Sequence, residues 1–124
     1  MNWSVFALIA LSAITTAVAN LLLRAGVLKA GGLSLSLDRF WSDALALGAQ
    51  PLFVLGFICY GIAAVLWFSV LSRADLSISY PVLVGLTFVL VVSGSVVVFH
   101  ESLPWDRVVG MVLIVAGVAL VARA

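Results

Sequence analysis

The chain has 124 residues, of which 65% are hydrophobic and 9% charged, with a formal net charge of +1 and a mean hydropathy of +1.35. A soluble domain carries about 25% charged residues, so this composition excludes a soluble globular domain. The small net charge excludes an electrostatic nucleic-acid binder, and the length suits one helical unit rather than two domains.

Four apolar segments dominate, roughly 3–23, 51–71, 78–99 and 106–122. About 20 apolar residues at 1.5 Å rise cover a hydrocarbon core about 30 Å thick. Only helices satisfy their own backbone in lipid within such short segments. The expectation is an all-α membrane protein: four transmembrane helices in an antiparallel bundle, with residues 1–124 forming a single transmembrane domain.

The first segment contains Ala17, Val18 and Ala19, which resemble a small-residue cleavage site. No Lys or Arg precedes the apolar run, however, and Leu21, Leu22 and Leu23 continue it, so the segment reads as a retained helix. Ser12, Thr16 and Asn20 fall four apart on one helical face, with Thr15 beside them and Arg24 extending the row to the interface. Polar side chains in a span face protein or a water-filled cavity. Interhelical hydrogen bonding explains such a row; so does a binding site in which Asn20 points at Arg24 and helps hold an anion.

The first loop holds Arg24, Lys29, Asp38, Arg39 and Asp43. Within it Leu37, Phe40, Trp41, Ala44 and Leu45 keep helical spacing, with Asp38, Arg39, Ser42 and Asp43 on the other face. This predicts a short interfacial amphipathic helix over 37–47, capped by Ser36 and ended by Gly48 and Pro51.

The second segment, opened by Pro51, has a face of Gly56, Tyr60, Ala63, Ala64 and Trp67, where aromatics among small residues make a groove. Its Cys59 is the one cysteine and reads as a small buried apolar group. The third places Tyr80, Thr87 and Gly94 on one face, with Pro81 expected in its first turn. The fourth, opened by Pro104, carries Gly110 and Gly117 seven apart, a small-residue seam suited to a dimer contact. Trp3, Trp41 and Trp105 fall where an interfacial aromatic belt is expected. Arg24, Lys29, Arg39 and Arg107 lie on one side of the bundle, and Arg73 and Arg123 on the other.

Apart from Asp106, the first residue of the fourth segment, no Asp, Glu or His lies inside a span. Glu101 and His100 alone are too few for a metal site, and no phosphate-cradling glycine loop opens a helix. An enzyme, a metal site and a cofactor site are therefore not expected, and catalytic residues are not assigned. Glu101 reads as a partner for Arg107 or for a helix end.

Several motifs carry a resemblance. They are the run from Val65-Leu66-Trp67 to Val70-Leu71, then Ser79-Tyr80-Pro81-Val82-Leu83, then Phe99-His100-Glu101-Ser102, and the seam from Gly110 to Ala116-Gly117. Together they resemble four-helix members of the drug/metabolite transporter superfamily, most of all the ArnE/ArnF-type flippase subunits of the bacterial inner membrane. That resemblance implies transport of aminoarabinose-phosphoundecaprenol. The small multidrug resistance transporters are a neighbouring group with a membrane-embedded Glu in the first span. Here Thr15 or Thr16 stands in its place, which argues against proton-coupled export of cationic drugs.

The reading is a multi-pass membrane transporter that flips a polyprenyl-phosphate-linked sugar, as a homodimer or with a paralogous subunit, since four helices enclose too little volume for a path. The candidate substrate-binding residues are Thr16, Asn20, Arg24, Tyr60, Trp67, Tyr80 and Glu101, and the candidate dimer residues are Gly110 and Gly117. The alternatives are an exporter of small polar or cationic metabolites and a non-transporting accessory subunit of a membrane glycosyltransferase system.

Overall fold

Asn2 opens the first helix: its side-chain oxygen accepts from the Val5 N–H at 2.9 Å, satisfying one of the donors that a helix start leaves unpaired. In the computed structural model, which describes residues 2–123, that helix is α1, Trp3–Ala30. It does not stop at the end of the apolar run. Nothing between Leu23 and Ala30 breaks a helix, and the stop comes at Gly31 and Gly32, both at positive φ. Their N–H groups return to Leu28 and Val27 carbonyls, a glycine-based C-cap. At 28 residues α1 is about 42 Å long, longer than the hydrocarbon core. Arg24 therefore lies within the helix and not in the loop where the hydropathy pattern put it.

The loop helix is α2, Phe40–Ala49, later than the expected 37–47. Ser36 does not cap it with its side chain, because Ser34 and Ser36 hydroxyls bond each other at 2.8 Å. Instead, Asp43 accepts from the Ser34 N–H at 2.9 Å, and the Ser36 carbonyl receives the Phe40 N–H at 2.9 Å. Leu47 is buried against the bundle, whereas Leu37 and Trp41 are 97% and 73% exposed. Gly48 stays helical; the chain turns at Gln50, and Pro51 starts α3, Pro51–Leu71.

A tight turn leads into α4, Leu76–Phe99. This start is earlier than expected, so Pro81 sits in the second turn rather than the first and leaves the Ser77 carbonyl without its helical N–H. The last helix is α5, Trp105–Arg123. α1, α3, α4 and α5 are each long and apolar enough to cross a membrane and run alternately up and down. Among the described residues there is no strand. The architecture is an all-α membrane protein with a short extra helix in the first loop.

Both α3 and α4 pack on α1, while they touch each other little. Small residues set the α1–α3 approach: a Cβ on Gly26 would lie 2.6 Å from the Phe53 backbone nitrogen, and one on Gly56 2.9 Å from the Leu23 nitrogen. Gly94 leaves room for Leu21 of α1, and Gly85 for Val118 of α5. Toward the chain's amino-terminal end, Val5, Ile9, Val70 and Val82 form a buried cluster bordered by Trp67 and Leu83. Ser12 donates to the Ala63 carbonyl at 3.1 Å in the buried α1–α3 contact. α5 meets α4 alone and buries no residue.

The close approach of α1 and α3 is directly testable. Gly26→Ala forces a Cβ against backbone that cannot rotate away, so a loss of about 1–3 kcal/mol is expected, read as a lower melting temperature in detergent. Gly61→Ala, where nothing lies within 4 Å, is expected to melt no lower than the parent. Equal melting temperatures for all three proteins would remove the glycine contact as the link between α1 and α3.

Candidate functional site

Because α3 and α4 diverge from their common support on α1, a groove remains between them. It is a cavity of about 540 Å³. The α1 wall presents Ser12, Thr16 and Asn20, the α3 wall Tyr60, Ala63 and Trp67, and the α4 wall Tyr80, Thr87 and Val91. Each wall follows from helical spacing, since residues three and four apart share a face. On α4 the lining runs from Tyr80 to Val92, about 18 Å along the helix axis. The groove thus follows much of the bilayer thickness.

Its polar groups are neutral. Asn20 donates through Nδ2 to the Thr16 carbonyl at 3.0 Å, so its amide nitrogen is tied to its own helix and not turned to Arg24. Thr15 is likewise turned back, to the Leu11 carbonyl at 2.8 Å. Thr87 Oγ1 is buried with no hydrogen-bond partner. A buried hydroxyl left unpaired is costly, and here it borders a cavity. The indole of Trp67 and the phenol of Tyr80 meet with ring centroids 6.1 Å apart and planes at 54°. Tyr60 and Tyr80 line the groove and are half exposed.

Arg24 and Glu101 lie outside this cavity, one helical turn and more beyond Asn20. They pair with each other. The expected partner of Glu101, Arg107, lines the same second cavity, but the carboxylate pairs with Arg24, which the long α1 helix carries within reach. The Arg24 guanidinium also sits over the Phe99 ring, 4.9 Å from its centroid, a cation–π contact. Glu101, Ser102, Arg107 and Gly110 line a second cavity of about 360 Å³. It lies between α4 and α5 and shares only Phe88 and Val92 of α4 with the first.

Of the candidate binding residues, the structure brings Thr16, Asn20, Tyr60, Trp67 and Tyr80 to one cavity and sets Arg24 and Glu101 together at its far end. Gly110 lines the second cavity with Glu101, Gly117 lines neither cavity, and a Cβ on either glycine meets nothing within 4 Å. Thr87 was placed on the correct face but given no role, and its seven-residue spacing from Tyr80 was the available signal. Phe99 was missed as a platform for Arg24; residues so far apart in sequence carry no local signal of contact. Among the described residues, no three His, Cys, Asp or Glu side chains gather as a metal site would require.

Residues 8–122 match the family model described as Putative transmembrane family 234. The chain is 33% identical over 117 residues, 90% of its length and 86% of the relative's, to the "Probable 4-amino-4-deoxy-L-arabinose-phosphoundecaprenol flippase subunit ArnF" of Proteus mirabilis. It is 37% identical over 70 residues, 56% of its length and 62% of the relative's, to the corresponding subunit ArnE of Salmonella typhimurium. No solved structure matches the chain. The relatives are named as flippase subunits, which are transporters rather than enzymes. The chain belongs to Putative transmembrane family 234 and is an ArnE/ArnF-type small four-helix membrane transporter.

Proposed function

We propose that this protein moves a polyprenyl-phosphate-linked sugar between the leaflets of a bacterial inner membrane, as one subunit of a two-subunit assembly. The observation that carries the reading is the groove itself, with neutral hydrogen-bonding groups on α1 and aromatic rings on α3 and α4. A sugar taken through lipid must keep its hydroxyls paired, since each unsatisfied polar group costs several kcal/mol there. Ser12, Thr16, Asn20 and Thr87 offer such partners. The Trp67 and Tyr80 rings offer flat apolar faces with a polar tip, suited to the C–H face of a sugar ring. The relatives' names point to the same substrate class.

The phosphate is held by Arg24. A guanidinium gives a phosphate two parallel charge-assisted hydrogen bonds. Its present partner is replaceable: the Arg24 and Glu101 side chains are 49% and 38% exposed, and an exposed pair contributes only about 0.2–1 kcal/mol. Asn20, one turn along α1, contributes its free amide oxygen to the sugar rather than to the anion.

Assembly uses α5. It buries no residue, and Gly110 and Gly117 open onto free space, so another α5 can approach closely along this stripe. The occupant is a second four-helix subunit, either a copy of this chain or a paralogue. The relatives' names, which describe subunits, support this.

Two measurements test the proposal. In proteoliposomes, Arg24→Lys and Arg24→Gln are both expected to slow flipping of a fluorescent polyprenyl-phosphate sugar, the second more. Loss of a charge-assisted hydrogen bond, about 1.5–3 kcal/mol, corresponds to roughly tenfold to hundredfold. Normal transport by Arg24→Gln, at equal expression, would make Arg24 a lipid anchor and place the phosphate elsewhere. For assembly, Gly117→Leu is expected to shift the mass measured by light scattering in detergent toward the single subunit, while Gly61→Leu on α3 leaves it in place. An unchanged mass for Gly117→Leu would exclude this stripe as the contact.

A further inference from the structure

The α4 wall of the groove is apolar around Thr87. Leu83, Val84, Phe88 and Val91 line it beside that residue, and a valine of the same shape would continue the pattern. The chain carries a hydroxyl there instead, and that hydroxyl pairs with nothing. Among the described residues, Thr87 Oγ1 is the one buried side-chain oxygen or nitrogen without a hydrogen-bond partner. Other hydroxyls in these spans are paired. Ser79, two turns earlier on α4, donates to the Asp75 carbonyl at 2.7 Å, and Thr15 of α1 donates to the Leu11 carbonyl at 2.8 Å. Ser12 crosses to α3 and donates to the Ala63 carbonyl at 3.1 Å. A threonine within a helix has the carbonyl four residues back as a ready acceptor, so Thr87 forgoes a bond that its own helix offers. An unpaired buried hydroxyl is costly, and departures of this kind concentrate where function uses the group.

Depth indicates the use. Thr87 lies between Leu76 and Phe99, the two ends of α4, roughly 16–18 Å along the axis from either. It stands near the middle of the span. A headgroup waiting at either membrane surface does not reach it, whereas one that crosses along the groove must pass it. There water is furthest away, and an unpaired hydroxyl costs most. The α1 groups opposite are already engaged, Ser12 with Ala63 and the Asn20 amide nitrogen with Thr16. What Thr87 shows to the groove is carbon, because its oxygen is covered. Rotation about its Cα–Cβ bond exchanges methyl and hydroxyl, and threonine, unlike valine, populates two such rotamers in a helix.

We infer that Thr87 is a mid-membrane hydrogen-bonding station on the transport path: its hydroxyl turns into the groove and pairs with a hydroxyl of the headgroup while the headgroup crosses. This rests on the lipid-linked-sugar reading and adds which side chain of the groove acts on crossing rather than on capture. The bond is made during passage and not at the surface, so it lowers the barrier without tightening the initial binding. A single neutral hydroxyl serves any headgroup that carries hydroxyls. Thr87 therefore sets the speed of crossing and not the identity of the sugar. The covered, unpaired state is the cost of keeping that hydroxyl uncommitted until a headgroup arrives.

The test uses Thr87→Val, which keeps the shape and removes the hydroxyl, and Thr87→Ser, which keeps the hydroxyl. The full chain is reconstituted in proteoliposomes, and the probe is the polyprenyl phosphodiester of 4-amino-4-deoxyarabinose with a fluorophore on its tail. Thr87→Val is expected to lower the flipping rate at saturating lipid by about fivefold to tenfold, the effect of one neutral hydrogen bond. The mole fraction of lipid that half-saturates the rate is expected to stay within about twofold of the parent's. Thr87→Ser is expected to flip within about twofold of the parent. In detergent, Thr87→Val is expected to melt no lower than the parent, because the hydroxyl it removes pairs with nothing. An unchanged rate for Thr87→Val overturns the inference and leaves the lipid-linked-sugar reading standing. A loss shared equally by Thr87→Ser, or accompanied by a lower melting temperature, makes Thr87 a packing residue and also overturns it. A half-saturation raised beyond that range, whatever the rate, places Thr87 in capture and overturns its assignment to crossing. Failure of the parent to flip the probe overturns the lipid-linked-sugar reading and this inference with it.

Discussion

The arrangement depends on α1 being approached closely by two helices that do not close on each other. Gly26 and Gly56 bring the α3 backbone against α1, and Gly94 admits Leu21 on the α4 side. In lipid there is little hydrophobic drive between helices, so packing at small residues decides which surfaces meet. With α1 as the shared support, α3 and α4 splay, and the space between them becomes the groove. Placing large residues at the α1 contacts would separate the helices; placing small residues at Tyr60, Trp67 and Tyr80 would let α3 and α4 close and leave no groove. The sequence does the reverse at both places.

Much of this was legible before any coordinates. The four spans follow from apolar length, and the faces bearing Thr16 and Asn20, Tyr60 and Trp67, and Tyr80 and Thr87 follow from helical spacing. Periodicity names the face but not its neighbour. It placed five candidate residues on faces that all turned out to line one cavity, yet it missed the pairing of Arg24 with Glu101. That pairing depends on how far α1 continues as a helix. Hydropathy marks where the apolar run ends, near Leu23, whereas the helix ends at its glycine stop. The same gap between apolar pattern and backbone punctuation explains α2. Leu37 has the right spacing for that helix, but the serine turn before Arg39 takes up the backbone bonds that an earlier start would need.

The positions of the charges follow from cost. A charge at the centre of a span costs at least about 2.5–3.5 kcal/mol, and no charged residue borders the larger cavity. The bilayer thus sorts the chain's chemistry by depth: neutral hydroxyls, an amide and aromatic rings inside, ionic groups at the ends. A substrate with an ionic and a neutral polar part is matched by that sorting without any embedded carboxylate. The proton-coupled chemistry of an embedded Glu needs the opposite placement.

Cavity volume then bears on how much of the proposed substrate the groove can hold. About 540 Å³ lies in the ordinary range for a small-molecule site, enough for a monosaccharide and its phosphate. A polyprenyl chain of many isoprene units is far larger and wholly apolar, so enclosing it would need a bundle of many more helices. It does not need enclosing, because the bilayer already solvates it. On the proposed reading, the protein therefore shields only the headgroup, and its walls must part along the side facing the lipid so that the tail can remain outside. Tyr60 and Tyr80, half exposed and among the lining of the groove, suit such an opening. α5 contributes no residue to the larger cavity and touches α4 alone among the helices, so on this reading a second subunit docked on α5 leaves the lining of that cavity uncovered.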